Sequence, residues 1–281
     1  MTVRERIIDV IGDLPPAERR VAEVVVDDPK EVAFGTVAAV AARAGASGPS
    51  VVRLSRRIGY AGFVELQDAI RAELGERLRP AVERIRERPV HDAVGRTLET
   101  SLANVQATLD AIEPDAFRIA ADLLAARSRA VAVLSGEATF GIAHAFASDL
   151  GLVRAGVDLV AGSEVRVDRT LALLEPDDVV VVMDLRRYER WVVEAARAAA
   201  DAGARLVAVT DSAISPLAER ADAVFTVEAS SPGPFDSHVG TLALTNALVA
   251  AVAGRLRRFA TARLDRIERR WSSSGALVER F

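Results

Sequence analysis

Apolar positions in the first 75 residues recur at helical spacing and are cut by turn residues. Ile7, Ile8, Ile11 and Leu14 form one stripe, and Val21, Val24 and Val25 a second. Leu14-Pro15-Pro16 separates them, and Asp28-Pro29 ends the second. Thr36 then precedes Val37, Val40 and Ala41, a short helix that Gly45 closes in the left-handed cap position. Ser47 opens another helix, with Gly48 and Pro49 in a first turn where a missing N–H costs nothing. That helix carries Val51, Leu54 and Ile58 on one face and stops at Gly59. A last helix starts near Phe63, with Leu66, Ile70 and Leu74 at spacings of three and four.

Further along, the period changes. Residues 77–91 are mostly charged and contain Pro80 and Pro89, the pattern of a connection; His91 falls in it. Beyond it, Ala130–Leu134, Val157–Val160, Val179–Met183, Leu206–Thr210 and Val224–Val227 are short apolar runs rich in valine. Helix-length stretches lie between them, notably Thr139–Leu150 and Trp191–Ala202. Continuous apolar strands alternating with helices imply an α/β doubly wound, five-stranded parallel sheet buried on both faces. One long final helix is expected, striped by Leu248, Val252, Leu256, Phe259, Ile267 and Trp271, with arginines on its other faces. The expected division is therefore an all-α domain at 1–76, a linker at 77–91 and an α/β domain at 92–281.

The 281 residues fit about two domains at roughly 150 residues each. Half are hydrophobic and 27% charged, which excludes a disordered or fibrous chain. No apolar run approaches the roughly 18 residues of a spanning helix. Glu5, Asp9 and Asp13 interrupt what a signal peptide would keep apolar. With no cysteine there are no disulfides, iron–sulfur clusters, Cys-ligated zinc or thiol nucleophiles, and three histidines leave little for a metal site. A soluble, cytoplasmic chain without metal, cofactor or membrane partner is expected.

Lys30 is the single lysine among 36 basic residues, a bias that a GC-rich genome accounts for. Placement of the arginines says more than their number. The helix pair Thr36–Ala44 and Ser47–Ile58, joined by a tight turn, has helix-turn-helix spacing. Between Glu31 and Glu65 there is no acidic residue, while Arg43, Arg53, Arg56 and Arg57 all fall inside, in a chain of net charge -4. A local basic face suits the phosphates of double-stranded DNA. Ser47, Gly48, Pro49, Ser50 and Arg53 would lie nearest to base edges, with Arg53 suited to a bidentate guanine contact. Arg56, Arg57 and Thr36 are expected on phosphate.

The run TVAAVAARAGASGPSVVRLSRRIGYAGFVELQDAI resembles the helix-turn-helix of the MurR/RpiR family of bacterial transcriptional regulators. The family's "TV-x-R-F" helix stands here as Ser50-Val51-Val52-Arg53-Leu54, and its "lGf-x-Gf" as Ile58-Gly59-Tyr60-Ala61-Gly62-Phe63. The resemblance implies a sugar isomerase (SIS) domain behind it, holding a phosphosugar at the carboxyl ends of the strands.

Two loops depart from that family. "G-x-G-x-S" after the first strand is replaced by Ser135-Gly136-Glu137-Ala138-Thr139, where Glu137 would repel a phosphate. "S-x-S-G-x-T" after the third is replaced by Asp184-Leu185-Arg186-Arg187-Tyr188. Ligands of open parallel sheets bind beyond strand carboxyl ends at the topological switch point, expected between the first and third strands. Arg186 or Arg187 would pair with a carboxylate or phosphate, and Glu137 or Asp184 with a hydroxyl or amine; alternatively these charges pair with one another. Ser135, Gly136, Glu137, Thr139, Asp184, Arg186, Arg187, Ser237 and His238 are the candidate ligand residues. Ser163 and Glu164 should cap a helix, Asp236 or Ser237 the final one, and His144 should be packed.

Together these features imply a transcriptional regulator whose operator affinity is set by a small anionic, sugar-derived or phosphorylated metabolite. Its partners would be a double-stranded DNA operator, that effector and further copies of the chain, as homodimer or homotetramer, with the final helix as the dimer surface. The alternatives are a sugar-phosphate isomerase or deaminase on the same fold, and a regulator with a ligand-free sensor.

Overall fold

A computed structural model describes residues 3–77, 81–87, 92–213 and 215–278. The chain divides into two compact units, Met1–Arg84 and Ile85–Phe281. Helices α1 (Val3–Val10), α2 (Pro16–Asp27), α3 (Pro29–Phe34), α4 (Val37–Arg43), α5 (Gly48–Arg57) and α6 (Phe63–Arg77) build the first, with a 3-10 turn at Ile11–Asp13. Its core draws Ile7, Val21, Val25, Val40, Val51, Leu54, Leu66 and Ile70 from those helices. Helix α3 is additional to the sequence reading. The Asp28-Pro29 step that ends α2 also opens it, because the Asp28 carboxylate accepts the Glu31 N–H at 3.1 Å. Between α4 and α5 the turn relies on Gly45 at φ +54°, and Arg20 donates to the carbonyls of Ala44 and Gly45 at 3.0 and 2.9 Å.

Within the expected linker, Ala81–Glu87 is a helix, α7. The rest of that span from 78 onward, His91 included, lies outside the described residues. Two helices beyond those expected from the sequence follow, α8 (Ala93–Asp110) and α9 (Pro114–Ala125). Then follow β1 (Val131–Ser135), α10 (Phe140–Val153), β2 (Val157–Val160), α11 (Glu164–Ala172), β3 (Val179–Met183), α12 (Arg190–Asp201), β4 (Arg205–Thr210) and β5 (Ala223–Thr226). The five strands are all parallel, in the order β2-β1-β3-β4-β5. Since β1 lies between β2 and β3, the chain reverses direction across the sheet there, and the ends of β1 and β3 flank the switch point. Val131, Val133, Val181 and Met183 share one face with α9 and α10, while Ala132, Leu134, Val180 and Val182 face α11 and α12. Edge strand β2 departs from full burial: Asp158 is exposed.

The final helix is not one rod. It is α13 (Val239–Arg255) and α14 (Arg257–Ser274), bent by 103°. The bend returns α14 onto the domain: Ala260 is buried, and Arg263 donates twice to the Gly151 carbonyl at the end of α10, at 3.0 and 2.8 Å. Leu248 and Val252 are consequently spent in the domain's own core and offer no dimer surface. Exposed apolar residues line α8 instead, where Val94, Leu98 and Leu102 are 82%, 61% and 64% exposed. Among the described residues no single helix is long and apolar enough to cross a membrane.

Candidate functional site

Helix α5 begins at Ser47, whose extended backbone makes it the N-cap. Its hydroxyl does not cap a helix N–H but meets the Ser50 hydroxyl at 2.9 Å. Ser50, at 2% exposure, also accepts from Arg53 Nη2 at 2.9 Å. The expectation that Ser50 reaches a base edge is corrected: its hydroxyl is enclosed and committed to Arg53. Thr36 is exposed but its hydroxyl accepts the Ala39 N–H at 3.2 Å, so it caps α4. Ser47, Pro49, Arg53, Arg56 and Arg57 are exposed, with Gly48 half-buried beside them.

The acid-free stretch between Glu31 and Glu65 is not acid-free in space. Glu18 of α2, 3% exposed, accepts Arg53 Nε at 3.1 Å on one carboxylate oxygen and Arg57 Nε at 3.0 Å on the other. Arg43 pairs with Asp28 at 3.1 Å, and Arg56 Nε donates to the Ala61 carbonyl at 3.2 Å. Sequence reasoning missed Glu18, although a signal was present. It occupies the apolar stripe between Leu14 and Val21, where a carboxylate must be buried and therefore paired.

At the switch point, Asp184 is 3% exposed and stands so close to Gly136 that a Cβ there would lie 2.6 Å from Oδ1. Its carboxylate accepts the N–H groups of Leu185 and Glu189 at 2.9 and 2.8 Å. Burial pushes its pKa up to about 6; the two N–H bonds pull down against it, and nearby Glu189 and Asp211 push the same way as burial. Arg186 binds neither Asp184 nor Glu137. Instead it grips Asp236, ahead of α13, with contacts of 2.9 and 3.0 Å, and donates to the Ala229 carbonyl at 3.3 Å. Arg187 is exposed, with φ +66°. Asp211 accepts the Tyr188 hydroxyl at 2.6 Å and the Arg186 N–H at 3.1 Å, while Glu189 takes the N–H of Glu137. Burial raises the Tyr188 pKa, and the Asp211 charge adds to the shift.

Other expectations at this edge need correction. Thr139 is fully buried and its hydroxyl donates to the carbonyls of Met183 and Gly136 at 2.9 and 3.2 Å, tying two loops together instead of facing a ligand. His238, not Asp236 or Ser237, occupies the N-cap position of α13, because Asp236 serves Arg186 and the Ser237 N–H bonds the Ala229 carbonyl at 3.0 Å. Ser163 and Glu164 do open α11, though without a side-chain cap bond. His144 is exposed, near the Phe140 ring, not packed. Glu137 is also exposed. Ser135 Oγ, Thr241 Oγ1 and His238 Nδ1 are buried without a hydrogen-bond partner among the described residues. Burial lowers the His238 pKa against the pull of Asp236. No cluster of three or more His, Asp or Glu suited to a metal ion occurs among the described residues.

Residues 1–77 match the helix-turn-helix domain of the rpiR family, and residues 124–251 match the SIS domain. The chain belongs to the RpiR family. This RpiR-family chain is 26% identical over 231 residues to the HTH-type transcriptional regulator HexR of Escherichia coli (strain K12), covering 81% of the chain and 78% of the relative. To HexR of Pseudomonas aeruginosa it is 27% identical over 220 residues, 76% of the chain and 74% of the relative. The sugar isomerase domain of an RpiR transcription factor from Sphaerobacter thermophilus superposes with a TM-score of 0.61 at 27% identity, covering 64% of this chain and 99% of that one. The Vibrio vulnificus NanR protein complexed with ManNAc-6P shares the fold, with a TM-score of 0.56 at 17% identity and 97% and 98% coverage. The RpiR-family protein thus has its DNA-binding and SIS domains in the order the sequence implied.

Proposed function

We propose that this RpiR-family regulator reads a two-fold operator with α5 and that a small anionic metabolite at the β1–β3 edge sets its operator affinity. The observation that carries the DNA reading is the exposed row Ser47, Pro49 and Arg53 at the start of α5, with Gly48 half-buried among them and Arg56 and Arg57 one turn on. Arg53 takes the base-reading role; Arg56, Arg57 and Thr36 take phosphate. Ser50 acts beneath them, through Arg53. The unit at 1–76 is the reader, 77–91 the connection and 92–281 the sensor. The apolar stripe on α8 is the surface on which two sensors pair.

For effector control, the Arg186–Asp236 pair is the support. It joins the loop after β3 to the loop before α13, with side chains 16% and 18% exposed. An incoming carboxylate or phosphate competes with Asp236 for the guanidinium fork and releases the loop before α13. Exposed Arg187 adds a second cation, and the unpartnered Ser135, Thr241 and His238 are polar groups such a ligand would satisfy. What NanR binds according to its structure, ManNAc-6P, is one member of the class to try. A sensor that takes no ligand is the second reading. Carboxylates of this chain already hold the N–H groups of Glu137, Leu185, Arg186 and Glu189.

Selection of bound sequences from random duplex DNA is expected to return a two-fold symmetric motif; no enrichment would sink the operator reading. Arg53→Ala should relax base preference at one position and cost about 1–3 kcal/mol in operator binding, read by titration of the selected duplex. Arg186→Ala with Arg187→Ala should abolish effector response and leave the oligomer intact by light scattering. A thermal-shift screen of sugar phosphates and sugar acids separates the two sensor readings, since only a ligand-binding sensor is stabilised.

A further inference from the structure

Glu18 lies on α2, outside the helix-turn-helix, yet holds two arginines of its second helix. An apolar residue at 18 would continue the stripe of Leu14, Val21 and Val25, and the two half-exposed arginines would keep water as a partner, so the ion pairs themselves add little stability. What the carboxylate adds is position. Each of its oxygens takes one Nε, from Arg53 at 3.1 Å and Arg57 at 3.0 Å, and Ser50 takes a second Arg53 nitrogen at 2.9 Å. A guanidinium has five N–H donors, so Arg53 keeps three, all on its terminal nitrogens. Its side chain remains 57% exposed and that of Arg57 44%, while Glu18 is enclosed.

We propose that Glu18 is a specificity-determining positioning residue for DNA: a buried clamp that sets the terminal fork of Arg53 toward a base and restrains Arg57. This rests on the reading of α5 as the operator helix. Two effects follow. Held in place before binding, Arg53 gives up less rotamer freedom when it meets a guanine edge than a loose arginine would, which favours the matched sequence. The negative charge also offsets part of the two arginines' pull on any phosphate, which weakens binding to unmatched sequence. Both effects widen the gap between specific and non-specific binding. Arg53 and Arg57, four residues apart on one helix face, would otherwise repel.

The test uses the full chain, the duplex selected by the wild-type protein, and a scrambled duplex of equal length and composition, titrated across a range of salt. Glu18→Gln keeps the volume and removes the charge. The expected result is a roughly tenfold fall in the ratio of selected to scrambled affinity. Affinity for the scrambled duplex should rise at low salt, and its log–log salt slope should steepen by about one. In an Arg53→Ala background the same substitution should cost clearly less specificity, since the base-reading group it positions is gone and only its effect on Arg57 remains. A merely structural Glu18 would lower the melting temperature and leave the ratio and slope unchanged. That result in a folded variant overturns the clamp while the operator reading stands. Where Glu18→Gln does not fold, Ser50→Ala carries the test. It deletes the second tether of Arg53 without changing charge, so the ratio should fall by a smaller factor, and an unchanged ratio overturns the proposal. Failure of the wild-type chain to select any motif overturns the operator reading itself, and the clamp with it.

Discussion

Replacing Arg154 by alanine is expected to destabilise the α/β unit by about 3–5 kcal/mol, the combined effect of orphaned carbonyls and a cavity. Arg154 is fully buried just past α10. Its guanidinium donates to the carbonyl of Leu124 at 2.6 Å, to that of Ala155 at 2.9 Å and to that of Arg129. Those carbonyls belong to the end of α9, the entry to β1 and the lead into β2, so one side chain ties three chain segments at the amino edge of the sheet. Burial lowers its pKa, with Asp178 pulling the other way, which marks a cation that is desolvated and held chiefly by main-chain oxygens. Alanine takes these donors away from all three oxygens, of which the Leu124 carbonyl, in the buried bond, has the least access to water. Denaturant titration of the wild type and Arg154→Ala measures the loss. Arg154→Met restores volume but no donor, and should recover only the cavity's share. A loss below about 1 kcal/mol in Arg154→Ala would mean that the carbonyls find other partners.

How far the chain could be read in advance follows from which interactions are local. The strands of the sheet lie within about a residue of the valine-rich runs, because β1 and β3 are buried at every position and are apolar in all but the terminal Ser135. That β1 and β3 flank the switch point was expected from the alternation of strands and helices; the full order β2-β1-β3-β4-β5 comes from the structure. The short helices around Gly45 were legible from caps and turn residues. What stayed hidden depends on partners far away in sequence. Glu18 and Arg53 are 35 residues apart, and Arg186 and Asp236 are 50 apart. A charge count confined to the segment between Glu31 and Glu65 had no access to either pairing. The bend at Leu256 was likewise invisible, since the stripe continues through it. Docking of Arg263 on Gly151 and burial of Ala260 accompany the turn. At the carboxyl ends of β1 and β3 the sequence placed the loops but not which of their charges would meet. Asp184 turned to main-chain N–H groups, leaving Arg186 to Asp236.

Asp184→Asn should remove one contribution to the pH dependence of stability. With the folded carboxyl raised to about 6 and the ordinary value at 3.8, the native state binds the extra proton between those limits and the unfolded chain does not. The sign is therefore that of a group whose favourable share is complete below about pH 4 and lost as pH rises through 6. A shift of this size corresponds to about 3 kcal/mol. The cause is burial, against which the Leu185 and Glu189 N–H groups supply partial compensation, and Glu189 and Asp211 add negative charge. Asparagine cannot titrate, and its amide retains one acceptor for those N–H groups while turning a donor toward the other, a constant cost at every pH. Unfolding free energies of both proteins between pH 4 and 8 should accordingly differ by a quantity that moves about 3 kcal/mol in favour of the variant as pH rises. A difference that stays flat would mean that Asp184 ionises near its ordinary value, and hence that water reaches the edge beneath Gly136. An anionic effector would then meet a hydrated, fully charged loop. With the carboxyl near 6, by contrast, mild acid removes one negative charge from the place where such an effector must approach Arg186, and its affinity should rise below that pH.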